Sequence, residues 1–322
     1  MTPRQLPLFA NQPQSVSDLN PQSELRYTFA LFQQYLVGEG KSQHTVNAFT
    51  SDLQLLSDQA GGETALGDLT TTDLNEFLEW LEHGRGVPCS RKSYARRVTT
   101  LKVFFKWLHS AGVIPYDPAK PILQRSGPAP LATALTPDEV MAALYAARQL
   151  RRGEETDTRP EMLFKLILDT GIKKSEAMGL HPRDIDRSNP RLPVLTVKHK
   201  VRNVFKERII ELDTDWLPLL DAYLVQYHPQ DTLFNCTARN LEYVLSDVGE
   251  GAALAVKVSF EMLRWTCAVR DMRAGQEEDF IRDKMGLSPI SWVETRSKIK
   301  KLIELQMTAE NPSFIPPEPT AP

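Results

Sequence analysis

Two runs of cationic side chains offer the most chemistry in this sequence. From Arg85 to Lys106 there are seven basic residues, Arg85, Arg91, Lys92, Arg96, Arg97, Lys102 and Lys106, and no Asp or Glu. From Lys198 to Arg208 there are five, Lys198, Lys200, Arg202, Lys206 and Arg208, against Glu207 alone. The whole chain carries a net charge of −3, which argues mildly against a polyanionic partner. Local patches matter more than the total, and runs of this kind suit phosphate groups. A merely solvated face is the alternative, but solvated faces ordinarily mix signs. Phosphate contacts of this type fix affinity and position on a duplex, not sequence.

Other chemistries find less support. Cys89, Cys236 and Cys267 are far apart and odd in number, which excludes a paired framework or a CxxC knuckle and favours a reducing cytoplasm. His44, His83, His109 and His181 have no metal-ligand spacing, so no metal and no cofactor are expected. The last tyrosine is Tyr243 and the last histidine His228. No run approaches the roughly 18 apolar residues of a membrane span.

The elements that must position these residues fall into two groups. Helical periodicity predicts helices over 24–38, 42–60, 71–81 and from Ser90 or Arg91 to about His109. In the fourth, Tyr94, Val98, Leu101, Phe105 and Leu108 line one face, while Lys92, Arg96 and Lys106, with Thr99 between them, line the other. Pro115, Pro118, Pro121, Pro128 and Pro130 then crowd into a connecting stretch. Thr136-Pro137-Asp138-Glu139 opens another helix, the charged stretch 151–159 breaks the pattern, and 161–170 is helical. Residues 195–200 and 207–212 read as strands around a basic turn, and helices return from Trp216 to about Gln306. The expected division is a tail over 1–22, an all-helical domain over 23–125, a linker over 126–134, a mixed domain over 135–306 and a tail over 307–322. With 322 residues each domain can bury its own core.

The segment LDTGIKKSEAMGLHPRDID, from Leu168 to Asp186, resembles the first motif of the tyrosine recombinase (phage integrase, Xer-like) family. Thr170, Gly171, Ser175, Glu176, Leu180 and Asp184-Ile185-Asp186 fit that motif. The hairpin ending Lys206-Glu207-Arg208 and the segment SFEMLRWTCAVRDMRAG, from Ser259 to Gly275, are similar to two further family motifs. The resemblance covers roughly residues 23–306. It implies a mainly α chain with a small β-hairpin or sheet: a SAM-like core-binding domain followed by an α+β catalytic-type domain.

In the family a tyrosine attacks a DNA phosphate, two arginines stabilise charge on its oxygens, a hairpin lysine acts as general acid, and a His and a His or Trp assist. Carried over residue by residue, the first Arg falls on Lys173, which keeps the charge but not the bidentate fork. The Lys falls on Asn203, the His on Glu261, the later His on Leu287 and the tyrosine on Arg296; Arg264 alone is retained. No shift of register supplies a tyrosine, because both Tyr243 and His228 precede these segments. For Arg264 two readings stand, a phosphate contact or an ion pair with Glu261 three residues earlier. Glu261 is expected to neutralise Arg264 or Lys173. The candidate DNA contacts are Arg91, Lys92, Arg96, Lys102, Lys106, Lys173, Lys200, Arg202, Lys206 and Arg264.

The expectation is therefore a cytoplasmic protein that binds double-stranded DNA without cutting it, as an accessory, regulatory or architectural factor in recombination or integration. It would work beside an active recombinase or self-associate through the C-terminal helix, although that helix is equally suited to packing within its own domain. The alternatives are a recombinase with rearranged chemistry and a protein-interaction module that no longer binds DNA.

Overall fold

The computed structural model describes residues 13–124, 131–201 and 204–310, with the backbone alone at 199–201, 204 and 205. The described chain divides into two compact units on either side of Pro130 and Leu131. It is mainly helical, with two small antiparallel sheets.

The first unit contains four α-helices: α1 (Phe29–Gly38), α2 (Gln43–Ala60), α3 (Thr71–Glu79) and α4 (Arg91–Ser110). A 3-10 turn over Leu25–Thr28 precedes α1, where periodicity alone predicts helix from residue 24. Each later start is fixed by a side-chain cap of the kind that satisfies free N–H groups. Ser42 Oγ accepts from Thr45 N at 3.3 Å, and Ser90 Oγ from Ser93 N at 3.2 Å. Thr70 and Asp73 form a reciprocal capping box at α3. The faces that these starts orient meet in one core, where Phe32 meets the edge of Phe104 at 5.1 Å between centroids and Tyr35 stacks on Trp107. Tyr94, Val98, Leu101, Phe105 and Leu108 of α4 are all buried in it.

The second unit opens with α5 (Pro137–Gln149), started by a capping box between Thr136 and Glu139. A two-residue hairpin, β1 (Arg151–Arg152) with β2 (Glu155–Thr156), occupies the stretch that breaks helical periodicity. Next come α6 (Thr158–Thr170) and α7 (Lys174–Met178). Helix α6 starts three residues before the predicted 161, because Asp157 Oδ1 caps it by accepting from Arg159 N at 3.0 Å. Strands β3 (Ile185–Asp186), β4 (Val194–Val201) and β5 (Val204–Glu211) form an antiparallel sheet in the order β3-β4-β5. Five helices follow: α8 (Trp216–Tyr227), α9 (Ala238–Gly251), α10 (Phe260–Arg273), α11 (Glu278–Lys284) and α12 (Pro289–Glu310).

Helix α6 is the centre of this unit, packed by α5, α8, α9 and α10. Its Leu163, Phe164 and Ile167 share a core with Leu195 and Val197 of β4. A smaller cluster, including Ile281, Trp292, Ile299 and Leu302, seats α12 on α10 and α11. Arg273 grips Glu310 with both terminal nitrogens at 2.9 Å. Of the two packings open to the C-terminal helix, this is the one within its own domain.

Candidate nucleic-acid interface

In the second unit the motif residues meet at the C-terminal end of α6. Gly171 ends that helix in the left-handed region, at φ 62°, so the chain turns sharply into α7. Lys173 is the N-cap of α7, and its backbone N–H donates to Glu176 Oε2 at 2.8 Å. Glu176 in turn receives a two-pronged ion pair from Arg208, with Nη1 to Oε1 at 2.9 Å and Nη2 to Oε2 at 2.7 Å. Arg208 reaches it because β5 pairs it with Val197; directly paired residues share a sheet face, and Val197 is in the core.

Three cations then converge on three successive carbonyl oxygens at the end of α11. Arg208 Nε donates to Lys284 O at 2.9 Å, Arg264 Nη2 to Met285 O at 3.2 Å, and Lys173 Nζ makes a long contact with Gly286 O at 3.5 Å. Arg264 Nε also donates to Gly171 O at 2.7 Å. The last carbonyls of a helix lack partners and carry the negative end of its dipole, so cations belong there. Gly286 permits the turn: its φ is 62°, and a Cβ would stand 2.9 Å from Arg208 Nη1.

Three positive groups face one carboxylate in this cluster, and its electrostatics follow. Burial pushes the Lys173 ammonium below its ordinary value; Glu176 opposes this, while Arg264 and Arg208 add to it. Burial also lowers Arg264, which stays protonated as arginines do. Burial by itself raises Glu176, but its hydrogen bonds and charge interaction with Arg208 outweigh this and hold the carboxyl below the usual range. The excess of positive charge suits an anion, although the donors are engaged by backbone oxygens.

The other motif positions do not join the cluster. Glu261 lies exposed in the first turn of α10 and has no ion pair among the described residues. The expected pairing with Arg264 is replaced by the carbonyl contacts, so Glu261 does not neutralise that guanidinium by contact. Leu287 packs beside the α12 cluster. Arg296 is exposed on α12 and pairs with Glu278 at 3.1 Å. Arg202, Asn203 and the side chain of Lys200 lie outside the described residues. Of the other hairpin cations, Lys206 is exposed. Lys198 bonds Asp184 at 2.9 Å and Arg208 is buried on Glu176, so neither is the free backbone-tracking cation that its sequence suggests.

In the first unit, Arg91, Lys92 and Lys106 are exposed on α4 and Lys102 is half-buried. None of the four has an acidic partner among the described residues. Arg96 and Arg97 are different, because an acid from outside the basic segment reaches them. Asp52 of α2 is only 2% exposed. Its Oδ2 accepts from Arg96 Nη1 at 2.5 Å and from Thr100 Oγ1 at 2.9 Å. Arg97 Nε lies 3.5 Å from Oδ1, and Arg97 Nη1 donates to Cys89 Sγ at 2.8 Å. Burial raises the Asp52 carboxyl above its ordinary value, against the pull of Thr100 and the two arginines. Arg96, expected as a DNA contact on an acid-free face, is thus held at one end by a buried carboxylate.

A four-helix unit with a basic helix, followed by a mixed unit with a hairpin and a cation cluster at a helix end, defines the two-domain integrase class. The sequence matches the phage integrase N-terminal SAM-like domain over residues 29–112 and the phage integrase family over 133–296, and the chain belongs to that family. It is 31% identical over 175 residues to the tyrosine recombinase XerC of Mycobacterium sp. strain KMS, covering 54% of this chain and 58% of that protein. A similar match, 31% over 176 residues, is to XerC of Mycobacterium tuberculosis strain ATCC 25177 / H37Ra, with the same two coverages. The chain thus aligns with little more than half the length of these relatives. Among solved structures, the XerH site-specific recombinase bound to palindromic difH substrate has a TM-score of 0.68 at 17% identity, covering 92% of this chain and 91% of that one. A lambda integrase dimer bound to a COC′ core site has a TM-score of 0.67 at 15% identity, covering 90% and 83%. At these identities the likeness is one of fold.

Proposed function

We propose that this protein binds duplex DNA without cleaving it, and acts in the cytoplasm as an accessory, regulatory or architectural factor in recombination or integration. The observation that carries the reading is a combination within one chain. An acid-free helix face is kept, with Arg91, Lys92, Lys102 and Lys106 lacking an acidic partner among the described residues, while the sequence after Tyr243 contains no tyrosine. XerH and lambda integrase, the similar folds, are bound to DNA in their structures. XerC, the similar sequence, is a tyrosine recombinase.

At the family's active-site positions the chemistry is dismantled. Arg296 stands where the nucleophile belongs and Asn203 where the general acid belongs, and an amide is no proton donor for an alkoxide. Lys173 offers one point charge in place of a planar fork, and Arg264 is held by two carbonyls. Loss of several coupled groups together leaves little for residual cleavage. The excess positive charge around Lys173 and Arg264 still favours a DNA phosphate nearby, as a contact and not as a substrate. An active recombinase, or a second copy of this chain, supplies the partner in such a role.

Two measurements test this. Incubation with a nicked suicide duplex is expected to give no covalent protein–DNA adduct, and an adduct would establish an enzyme with rearranged chemistry. Binding to random duplex is expected to weaken steeply with salt. If the four free cations each meet a phosphate, the slope of log K against log salt is about −3.6, from roughly −0.9 per phosphate. Reversing Lys92, Lys102 and Lys106 to Glu removes most of that slope and the binding with it. Salt-independent binding, or none, favours a protein-interaction module.

A further inference from the structure

Arg96 is held unlike any other cation of α4. Its Nη1 donates at once to Asp52 Oδ2 at 2.5 Å and to the Ala48 carbonyl at 2.9 Å, so two acceptors on α2 fix one corner of the guanidinium. Asp52 is itself immobilised: it is buried, bonded by Thr100 and backed by Arg97, which is 8% exposed. The opposite edge of Arg96, Nε with Nη2, has no partner among the described residues, and 37% of the side chain is exposed. Apart from buried Asp52, the residues of α2 and α4 within a turn of these contacts carry no acid. Helix α2 contributes the exposed Gln43, His44, Asn47 and Ser51, with Gln43 Nε2 donating to Asn47 Oδ1 at 2.8 Å. Helix α4 contributes Lys92 and Thr99 on the same helical stripe as Arg96.

A flexible cation suffices for a phosphate, which accepts from many directions. A guanidinium locked in one plane, with a forked pair of N–H donors left free, suits a planar target with two acceptors at fixed spacing. On duplex DNA that target is the O6/N7 edge of guanine in the major groove, the commonest partner of arginine there. Because Arg96 is ordered in the free protein, little of its rotamer entropy remains to be lost on contact. We infer that Arg96 is a specificity-determining residue that reads a guanine, and that Asp52 is a positioning residue that orients it. The inference rests on the DNA-binding reading above and adds sequence preference to it, whereas Arg91, Lys92, Lys102 and Lys106 supply only position and affinity.

The test uses the full chain as wild type, R96K and D52N, each incubated with a randomised duplex pool whose retained fraction is sequenced. The salt dependence of binding is measured in parallel on one fixed duplex. The wild type is expected to enrich guanine at one position by about tenfold, within the range of a good bidentate contact. R96K keeps the charge and loses the fork, so the preference at that position falls to near parity while the rest of any motif persists. D52N keeps the side-chain shape but frees the guanidinium; it blurs the same position and leaves the salt slope unchanged. A merely structural role moves melting temperature and overall affinity but not one base position, and R96K carries the test even if D52N folds poorly. The inference is overturned if the wild type binds without any guanine preference. It is overturned equally if R96K retains the wild-type motif, or if R96K weakens all sequences alike with no change confined to one base position, which marks a phosphate contact. Retention of no duplex at all overturns the DNA-binding reading, and this inference with it.

Discussion

At the scale of single residues, the ion pair between Arg208 and Glu176 is the most deeply buried among the described residues of the second unit. Their side chains are 10% and 4% exposed, and both carboxylate oxygens are bonded. Removing one partner of such a pair strands a buried charge and costs about 3–5 kcal/mol. Arg208→Ala is therefore expected to lower the unfolding free energy by about that amount in urea at pH 7, and Glu176→Gln by a comparable amount, since it leaves the buried Arg208 guanidinium without its carboxylate. The pH dependence has a definite sign. Glu176 has a folded pKa below its unfolded value, so its stabilisation is complete above the ordinary carboxylate range and disappears as pH falls through the folded value. Asp52 in the first unit has the opposite sign: its folded pKa is raised, and acid relieves the strain of its buried charge. Acid melts of E176Q are thus expected to show a shallower loss of stability than wild type, and an unchanged acid limb would refute the assignment. The sequence makes Glu176 legible as part of a motif next to Lys173. It does not reveal Arg208 as its partner, because a register 32 residues away decides which hairpin cation turns inward. Asp52 is hidden for the same reason: the Arg85–Lys106 segment is free of acids, but the acid that matters belongs to another helix.

At the scale of elements, α4 is the one best read from sequence, since a cap at Ser90 and a five-residue apolar stripe determine both its start and its buried face. The β1–β2 hairpin is not legible, because two-residue strands have no periodicity and the pairing depends on Gly153 at φ 67°. Helix α12 is intermediate. Its apolar residues predict a helix ending near Gln306, but they do not say whether it packs in its own unit or on a neighbour. The helix runs on to Glu310 because Arg273 holds the last turn, and Gln306 Nε2 donates to Leu135 O at 3.1 Å from the preceding turn. Fully buried Ile299 lies in the seam. Ile299→Ala is expected to cost about 2–5 kcal/mol, the usual range for such a cavity, and to broaden the α12 amide signals first if hydrogen exchange is followed residue by residue. A helix that serves mainly as an exchangeable arm would instead tolerate the change with little loss of monomer stability.

At the scale of the whole molecule, both family domains are present and their folds persist, while the resemblance sets Lys173, Asn203, Glu261, Leu287 and Arg296 against the family's Arg, Lys, His, His and Tyr. The fold is set by dozens of buried apolar residues, each of which tolerates conservative change; the chemistry depends on a few coupled positions, and loss of one leaves the others with little to do. Arg296 marks this difference. It is exposed on α12 and paired with Glu278, with Lys300 3.5 Å from the same carboxylate. Putting the missing phenol back is therefore a sharp test. Arg296→Tyr is expected to fold, since a surface side chain is exchanged, and to leave the nicked suicide duplex free of covalent adduct, because Asn203 donates no proton and Lys173 has no fork. Adding Lys173→Arg and Asn203→Lys to the same chain restores a clamp and a proton donor together. Any adduct that emerges should do so in the triple variant and in none of the single ones, as positions that act as a unit require. An adduct from Arg296→Tyr alone would mean that the cation cluster at the end of α11 is already a working phosphate site.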